Sequence, residues 1–167
     1  MDLPLNILFL CTGNSCRSII GEGLANHLGQ DQLHAISAGS HPTGQVNPGA
    51  LAVLSRHGIE MANPQSQSMD DLQGEPVDLV ISVCDAAAGE ACPLWLGSAA
   101  RLHWGLPDPA HVTGSEATIQ AAFELTYRQL EQRLQALLAL DLAALDKAAL
   151  VAKGQALHQR ISDEESS

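Results

Sequence analysis

The chain is poor in aromatic and basic residues, and each shortage excludes something. Phe, Trp and Tyr make up 3% of the 167 residues, so the core must be built from Leu, Val, Ile and Ala. Eight Lys and Arg stand against 19 Asp and Glu, which gives a formal net charge of -11. Such an acidic surface repels the phosphates of nucleic acid, so we expect no nucleic-acid partner. An anionic substrate would need a locally built site.

Long apolar runs are also missing. No stretch reaches the roughly 18 apolar residues of a membrane span. The first residues carry neither a basic region nor a small-residue cleavage site, so we expect a cytoplasmic protein that does not engage membranes. Thiols stay reduced in that compartment, so structural disulfides are not expected, and those of the four cysteines that lie in suggestive places are expected to be catalytic or metal-binding.

Short apolar runs alternate with helical patterns along the chain. This alternation predicts an α/β fold with one parallel sheet, whose ligand lies at the carboxyl ends of the strands. The predicted strands are 6–10, 33–38, 77–83 and 102–104, and the predicted helices are 19–28, 47–58, a helix from about 115, and a continued or second helix over 142–157. Residues 1–140 are assigned to the domain and 141–167 to a helical extension with an acidic tail. We expect the last six residues to be disordered.

One segment between the first strand and the first helix combines several features of an anion site. Five residues separate Cys11 from Arg17, a spacing that lets both wrap one tetrahedral oxyanion. The intervening amides and the helix N-terminus would supply positive potential, and the guanidinium would grip two oxygens. The same environment favours a Cys11 thiolate, to which Ser18 could donate a hydrogen bond. The predicted oxyanion-binding residues are Thr12, Gly13, Asn14, Ser15, Cys16, Arg17 and Ser18, with Cys16 contributing its backbone and packing.

The run NILFLCTGNSCRS resembles the phosphate loop of the low-molecular-weight protein tyrosine phosphatases, and still more that of the related arsenate reductases. The resemblance extends from about residue 5 to about residue 140. Further matches follow in the same order at 37–39, 46–48, 78–83, 103–105 and 108–110. Membership of this family implies a four-stranded parallel sheet flanked by helices.

Asp108, in the run Leu-Pro-Asp-Pro-Ala, matches the acid that this family uses to protonate the departing oxygen. An Asp-Pro pair also makes a turn, and the two interpretations are compatible. The tyrosine phosphatases of the family generally place an aromatic residue soon after this pair. Here Ala110, His111 and Val112 follow, which favours the reductase branch.

Cys84 ends the third predicted strand, and Cys92 follows a short stretch rich in alanine. In the reductases such an arrangement carries a relay of three cysteines. The resemblance therefore implies that Cys11 attacks arsenate, that Cys84 attacks Cys11 and releases arsenite, and that Cys92 moves the disulfide to the Cys84–Cys92 pair. Inert buried thiols or a metal site are the alternatives, although no C-x2-C pair or regular histidine spacing supports a metal.

The sequence thus favours a monomeric arsenate reductase without a bound cofactor or metal. Its implied partners are arsenate, competing phosphate-like oxyanions and an external dithiol reductant, either thioredoxin or glutathione with glutaredoxin. Two alternatives remain open. One is a phosphatase acting on phosphotyrosine or small phosphoesters, and the other is an oxyanion- or redox-responsive binding protein without useful turnover.

Overall fold

The computed structural model describes residues 1–84, 96–97 and 99–166 of the chain. Its sheet has four parallel strands in the order β2-β1-β3-β4. The strands are β1 (Leu5–Leu10), β2 (Leu33–Ala38), β3 (Leu79–Ser82) and β4 (Ala100–His103). The four-stranded parallel sheet predicted from the sequence is confirmed.

The two central strands are almost entirely buried. Every residue of β1 except Asn6 is buried, as is every residue of β3, because helices and loops cover the sheet. Continuous apolar runs are typical of such strands, since neither face meets water. The register brings the carboxyl ends of three strands to the same level, because Leu10 is paired with both Ala38 and Ser82. The residues that follow these three strands therefore gather at one edge of the sheet.

Four α-helices lie in the described part of the chain, and their ends follow local signals. They are α1 (Arg17–Gly29), α2 (Pro48–Arg56), α3 (Glu116–Leu138) and α4 (Lys147–Ser166). The Asn47 side chain accepts a hydrogen bond from the Gly49 amide, and the Ser115 side chain accepts one from the Thr118 amide. Both satisfy backbone donors that a helix start leaves open. Short 3-10 turns cover Met69–Leu72, Pro109–His111 and Leu142–Ala144.

The end of the chain differs from the prediction. Residues 162–166, which the sequence analysis expects to be disordered, form the last turns of α4. Their order has a clear cause: Glu165 makes an ion pair with Arg133 of α3 at 2.7 Å, and the Arg133 side chain is 1% exposed. A buried guanidinium needs a partner, and the acidic tail supplies one. The continued-or-second helix over 142–157 is resolved as a separate helix beginning at Lys147.

Among the described residues, no helix is both long and apolar enough to cross a membrane.

Candidate active site

The loop of residues 11–16 leaves β1 at its carboxyl end and enters α1. Its carbonyl groups face the segment that follows β2. The amides of His41, Thr43 and Asn47 donate to the carbonyls of Thr12, Gly13 and Ser15 at 2.9, 3.0 and 3.0 Å. A trans peptide holds its C=O and N–H on opposite sides, so the amides that follow these carbonyls are turned away from that segment. In that orientation these amides are placed to donate to an anion held by the loop.

Two residues make this tight loop conformation possible. Asn14 has a φ of 45°, in the left-handed region that asparagine tolerates, and it is completely buried. Its side chain is satisfied on both sides, because its amide nitrogen donates to Ser18 Oγ at 2.8 Å and its oxygen accepts from the Gln67 amide at 2.8 Å. At Gly39 a Cβ atom would lie 2.4 Å from the Thr12 carbonyl oxygen, so only glycine lets the segment after β2 pass so close.

The Cys11 thiol is buried, and its sulfur lies 3.0 Å from Ser18 Oγ. Ser18 Oγ accepts a hydrogen bond from Asn14, which can only donate through that nitrogen. The hydroxyl hydrogen of Ser18 is therefore available to the sulfur. This chain of donors runs from Asn14 through Ser18 and ends at the Cys11 sulfur at the bottom of the loop.

Arg17 and Asp108 meet at the rim of the loop. The Arg17 guanidinium donates to the Leu106 carbonyl at 2.8 Å, and it lies 3.6 Å from Asp108 Oδ2. The other carboxylate oxygen of Asp108 accepts from the Ala110 amide at 2.9 Å. Arg17, Asp108 and Cys11 line one pocket of about 190 Å³. Its full lining is Cys11, Gly13, Ser15, Cys16, Arg17, Thr43, Asp108 and Ala110. The structure thus brings together three of the predicted catalytic residues.

Cys84 joins the loop from the neighbouring strand β3. Its side chain is buried, and its sulfur lies 3.4 Å from the Thr12 backbone nitrogen and 3.6 Å from Thr12 Oγ1. Both are within hydrogen-bonding reach of a sulfur atom, and the backbone N–H must be the donor. The second cysteine of the predicted relay therefore contacts the residue next to Cys11. Cys92 lies outside the described residues.

Cys16 differs from Cys11 although both thiols are buried. Burial, followed by the negative charge of Asp108, raises the pKa of Cys16 to about 12. A thiol with that pKa remains protonated at neutral pH and is a poor nucleophile. This agrees with the interpretation of Cys16 as a packing residue that contributes its backbone.

Residues 66 and 67 make contacts that support the loop, and the sequence analysis predicts none of them. Ser66 Oγ donates to the Gly13 carbonyl at 3.1 Å. The Gln67 side chain donates to the Ser37 carbonyl at 3.0 Å, while its backbone holds Asn14. Ser37 Oγ in turn donates to Glu22, whose pKa is raised chiefly by burial. These contacts join residues far apart in the chain, and no local pattern indicates them.

In the described ranges, no three His, Cys, Asp or Glu side chains come close enough together to hold a metal ion.

Comparison with known proteins identifies the family. The family described as low molecular weight phosphotyrosine protein phosphatase matches residues 6–151. The chain belongs to this family. Within the low-molecular-weight phosphatase family, the arsenate reductase of Bacillus subtilis (strain 168) is 37% identical over 129 residues, which cover 77% of this chain and 91% of that protein.

Solved structures of arsenate reductases have the same fold as this chain. An arsenate reductase in the phosphate-binding state is 27% identical, with a TM-score of 0.68 over 81% of this chain and 97% of that one. A thioredoxin-dependent arsenate reductase from Corynebacterium glutamicum is 26% identical, with a TM-score of 0.56 over 81% of this chain and 64% of that one. The low-molecular-weight phosphatase fold predicted from the sequence is thereby confirmed, and the relatives named here are arsenate reductases.

Proposed function

We propose that this protein reduces arsenate to arsenite in the cytoplasm, with Cys11 as the nucleophile and Cys84 and Cys92 as the relay. The observation that carries the proposal is the position of the Cys84 sulfur, 3.4 Å from the Thr12 amide. A phosphatase reaction needs only the loop, Arg17 and an acid. A reduction also needs a sulfur that reaches Cys11 and supplies electrons, and a second buried thiol against the loop can do this.

The first step is a substitution at arsenic. The Cys11 thiolate attacks arsenate and forms an S–As bond while one oxygen departs as water. The guanidinium of Arg17 and the loop amides hold the remaining oxygens. Arg17 is paired with Asp108 at 3.6 Å. An oxyanion that engages Arg17 replaces this partner, and Asp108 then carries the proton to the departing oxygen.

The second step is the reduction itself. The Cys84 thiolate attacks the Cys11 sulfur, and the S–As bond breaks with its electron pair passing to arsenic. Arsenic goes from the +5 to the +3 state, while two thiols are oxidised to a Cys11–Cys84 disulfide. The Thr12 amide and hydroxyl stabilise the attacking sulfur. Cys92 then attacks Cys84, which restores the Cys11 thiolate and leaves a Cys84–Cys92 disulfide for an external dithiol.

The pocket itself argues against a tyrosine phosphatase. Its wall after the Asp-Pro pair is Ala110, and the next residue is the strongly exposed His111, with its side chain 85% accessible. Neither offers a fixed aromatic face for a phenol ring. A pocket of about 190 Å³ suits a small tetrahedral oxyanion. We take thioredoxin as the dithiol donor, with glutathione and glutaredoxin as the alternative.

The test is a coupled assay containing arsenate, thioredoxin, thioredoxin reductase and NADPH. We expect the wild-type chain to consume NADPH, and Cys11→Ser to abolish every activity. Cys84→Ser and Cys92→Ser should each fall to a single turnover or less, because the disulfide cannot be passed on. Replacing thioredoxin by glutathione and glutaredoxin identifies the donor.

Two results would contradict the proposal. Normal cycling of both relay variants, together with efficient hydrolysis of p-nitrophenyl phosphate, would make the protein a phosphatase. Turnover of neither substrate, with phosphate still bound at the loop, would make it an oxyanion-binding protein.

A further inference from the structure

Helix α4 is hydrogen-bonded to the edge of the sheet at the end of β4. The Gln155 side chain reproduces the pairing of a neighbouring strand: its oxygen accepts from the His103 amide at 3.0 Å, and its nitrogen donates to the His103 carbonyl at 2.8 Å. The next residue is held as well, since the Trp104 indole donates to the Gly154 carbonyl at 3.1 Å. The two hydrogen bonds of Gln155 satisfy backbone groups that an edge strand otherwise leaves open, and the third ties the Trp104 side chain to the helix.

The contact depends on a close approach of the helix. A Cβ atom at Gly154 would lie 2.5 Å from Leu102 Cδ1, so the absence of a side chain lets α4 lie directly on β4. Trp104 is completely buried below it. The far end of α4 is anchored on α3, because Glu165 is paired with the buried Arg133. Helix α4 is therefore fixed at both ends of its contact.

The residues that α4 contacts, His103 and Trp104, come just before the segment that contacts Arg17. Two residues after Trp104, the Leu106 amide donates to the Val83 carbonyl at 3.1 Å, and the Leu106 carbonyl accepts from Arg17 at 2.8 Å. Asp108 follows two residues later. The position of the Leu106 carbonyl sets where the Arg17 guanidinium rests, and β4 determines where Leu106 lies.

We propose that α4 positions the Arg17 guanidinium through the segment that follows β4, from Trp104 to Leu106. Gln155 is then a positioning residue for oxyanion binding. Gly154 and Gln155 lie beyond residue 151, where the family match ends. The proposal rests on the oxyanion site of the proposed function and does not depend on the cysteine relay.

The experiment uses inorganic phosphate as the probe and alkylation of Cys11 by iodoacetamide as the readout. Bound phosphate covers Cys11, so the phosphate concentration that halves the alkylation rate reports oxyanion binding. In Gln155→Leu we expect this concentration to rise about fivefold, the loss that corresponds to roughly one hydrogen bond. The alkylation rate without phosphate should stay within about twofold of wild type, because the loop and Ser18 are untouched.

The matched control is Gln159→Leu. Gln159 lies one turn further along α4, is exposed and contacts Asp163 of the same helix. The same change there alters helix propensity equally but leaves β4 alone, so we expect wild-type protection. Gln155→Glu keeps the acceptor for the His103 amide but sets a carboxylate oxygen against the His103 carbonyl, so its effect should be at least as large as that of Gln155→Leu. Gly154→Ala tests the same contact by pushing α4 from Leu102, and should also weaken protection.

Each outcome decides a point. Unchanged phosphate protection in a folded Gln155→Leu overturns the positioning role, as does an equal loss in Gln159→Leu. An equal change of the phosphate-free alkylation rate also overturns it, because it indicates a general loosening. If Gln155→Leu does not fold, Gln155→Glu and Gly154→Ala decide by the same readout. Absence of protection in the wild type removes the oxyanion site and with it both proposals, whereas failure of the relay variants alone leaves this one standing.

Discussion

Two arginines, Arg17 and Arg133, are used in opposite ways. Arg133 is 1% exposed and fully committed: its guanidinium donates to His158 at 2.9 Å, to the Gln129 carbonyl at 2.9 Å, to Ser162 at 3.1 Å and to Glu165 at 2.7 Å. Among the described residues, Arg17 makes one hydrogen bond to a carbonyl and a looser 3.6 Å contact with Asp108.

The difference separates a structural cation from one that binds a ligand. A guanidinium has five N–H donors, and those already used by protein acceptors are lost to a substrate. The carboxylate of Glu165 also cancels the charge of Arg133, whereas the charge of Arg17 stays close to the pocket. Spare donors and a looser carboxylate partner therefore distinguish Arg17, the proposed ligand-binding arginine, better than burial does.

The largest effect should come from removing the functional arginine. We expect Arg17→Gln to lower kcat/KM for arsenate by about 100- to 1000-fold, because the guanidinium stabilises charge that develops on the oxyanion. The coupled NADPH assay measures this. Thermal unfolding should change little, because the partners lost are one carbonyl and a partly exposed carboxylate. A Tm drop as large as that of Arg133→Gln would remove the distinction between the two residues.

Arg133→Gln should give the opposite result. We expect the free energy of unfolding to fall by about 3 kcal/mol, since Glu165 loses its partner and the buried acceptors lose their donor. Urea denaturation measures this loss. The lost contacts lie in α3 and in the part of α4 beyond Gln155, away from the pocket, so kcat/KM of the folded protein should stay within about threefold of wild type. A loss of activity comparable to that of Arg17→Gln would contradict the comparison.

The smallest effect concerns pH. Burial, and then the charge of Arg133, lower the pKa of His158 from its ordinary value of 6.5 to about 4. Its Nδ1 accepts from Arg133 Nε, so the ring is neutral in the folded protein. Between pH 6.5 and 4 the unfolded chain binds a proton that the folded chain does not, and stability must fall as the pH falls. Above pH 6.5 this residue has no such effect.

His158→Gln keeps an acceptor for Arg133 and removes the titrating group. The unfolding free energy of this variant, measured in urea between pH 7.5 and 4.5, should therefore fall less steeply than that of wild type. Parallel slopes for the two proteins would mean that His158 does not titrate as described.

Much of the active loop could be predicted because its parts are contiguous. Cys11, Arg17 and Ser18 are close together in the sequence. Because they lie between a strand and the helix that follows it, their side chains are expected to face one anion site. Cys84 could be placed at the same edge because it follows a recognisable parallel strand. Its contact with Thr12 could not, since that depends on the register between β1 and β3.

The acidic end of the chain was the clearest miss. Read locally, Ser162–Ser167 is a charged polar run with nothing to bury, which is typical of disorder. The described residues 162–166 are instead helical, and Glu165 meets a guanidinium that lies 32 residues earlier in the chain. Likewise, Gln67 holds Asn14 across 53 residues. Such long-range pairs produce no pattern in the sequence of either segment, so they cannot be predicted from it.

By itself, the sequence determined the kind of site: a cysteine, a ring of amides and an arginine at a spacing that covalent geometry makes productive. Only the tertiary structure decided which polar groups satisfy one another, and so which arginine keeps its donors for a ligand. The physical reason is that backbone conformation responds to near neighbours, whereas the partners of a buried charge are chosen by packing between distant segments.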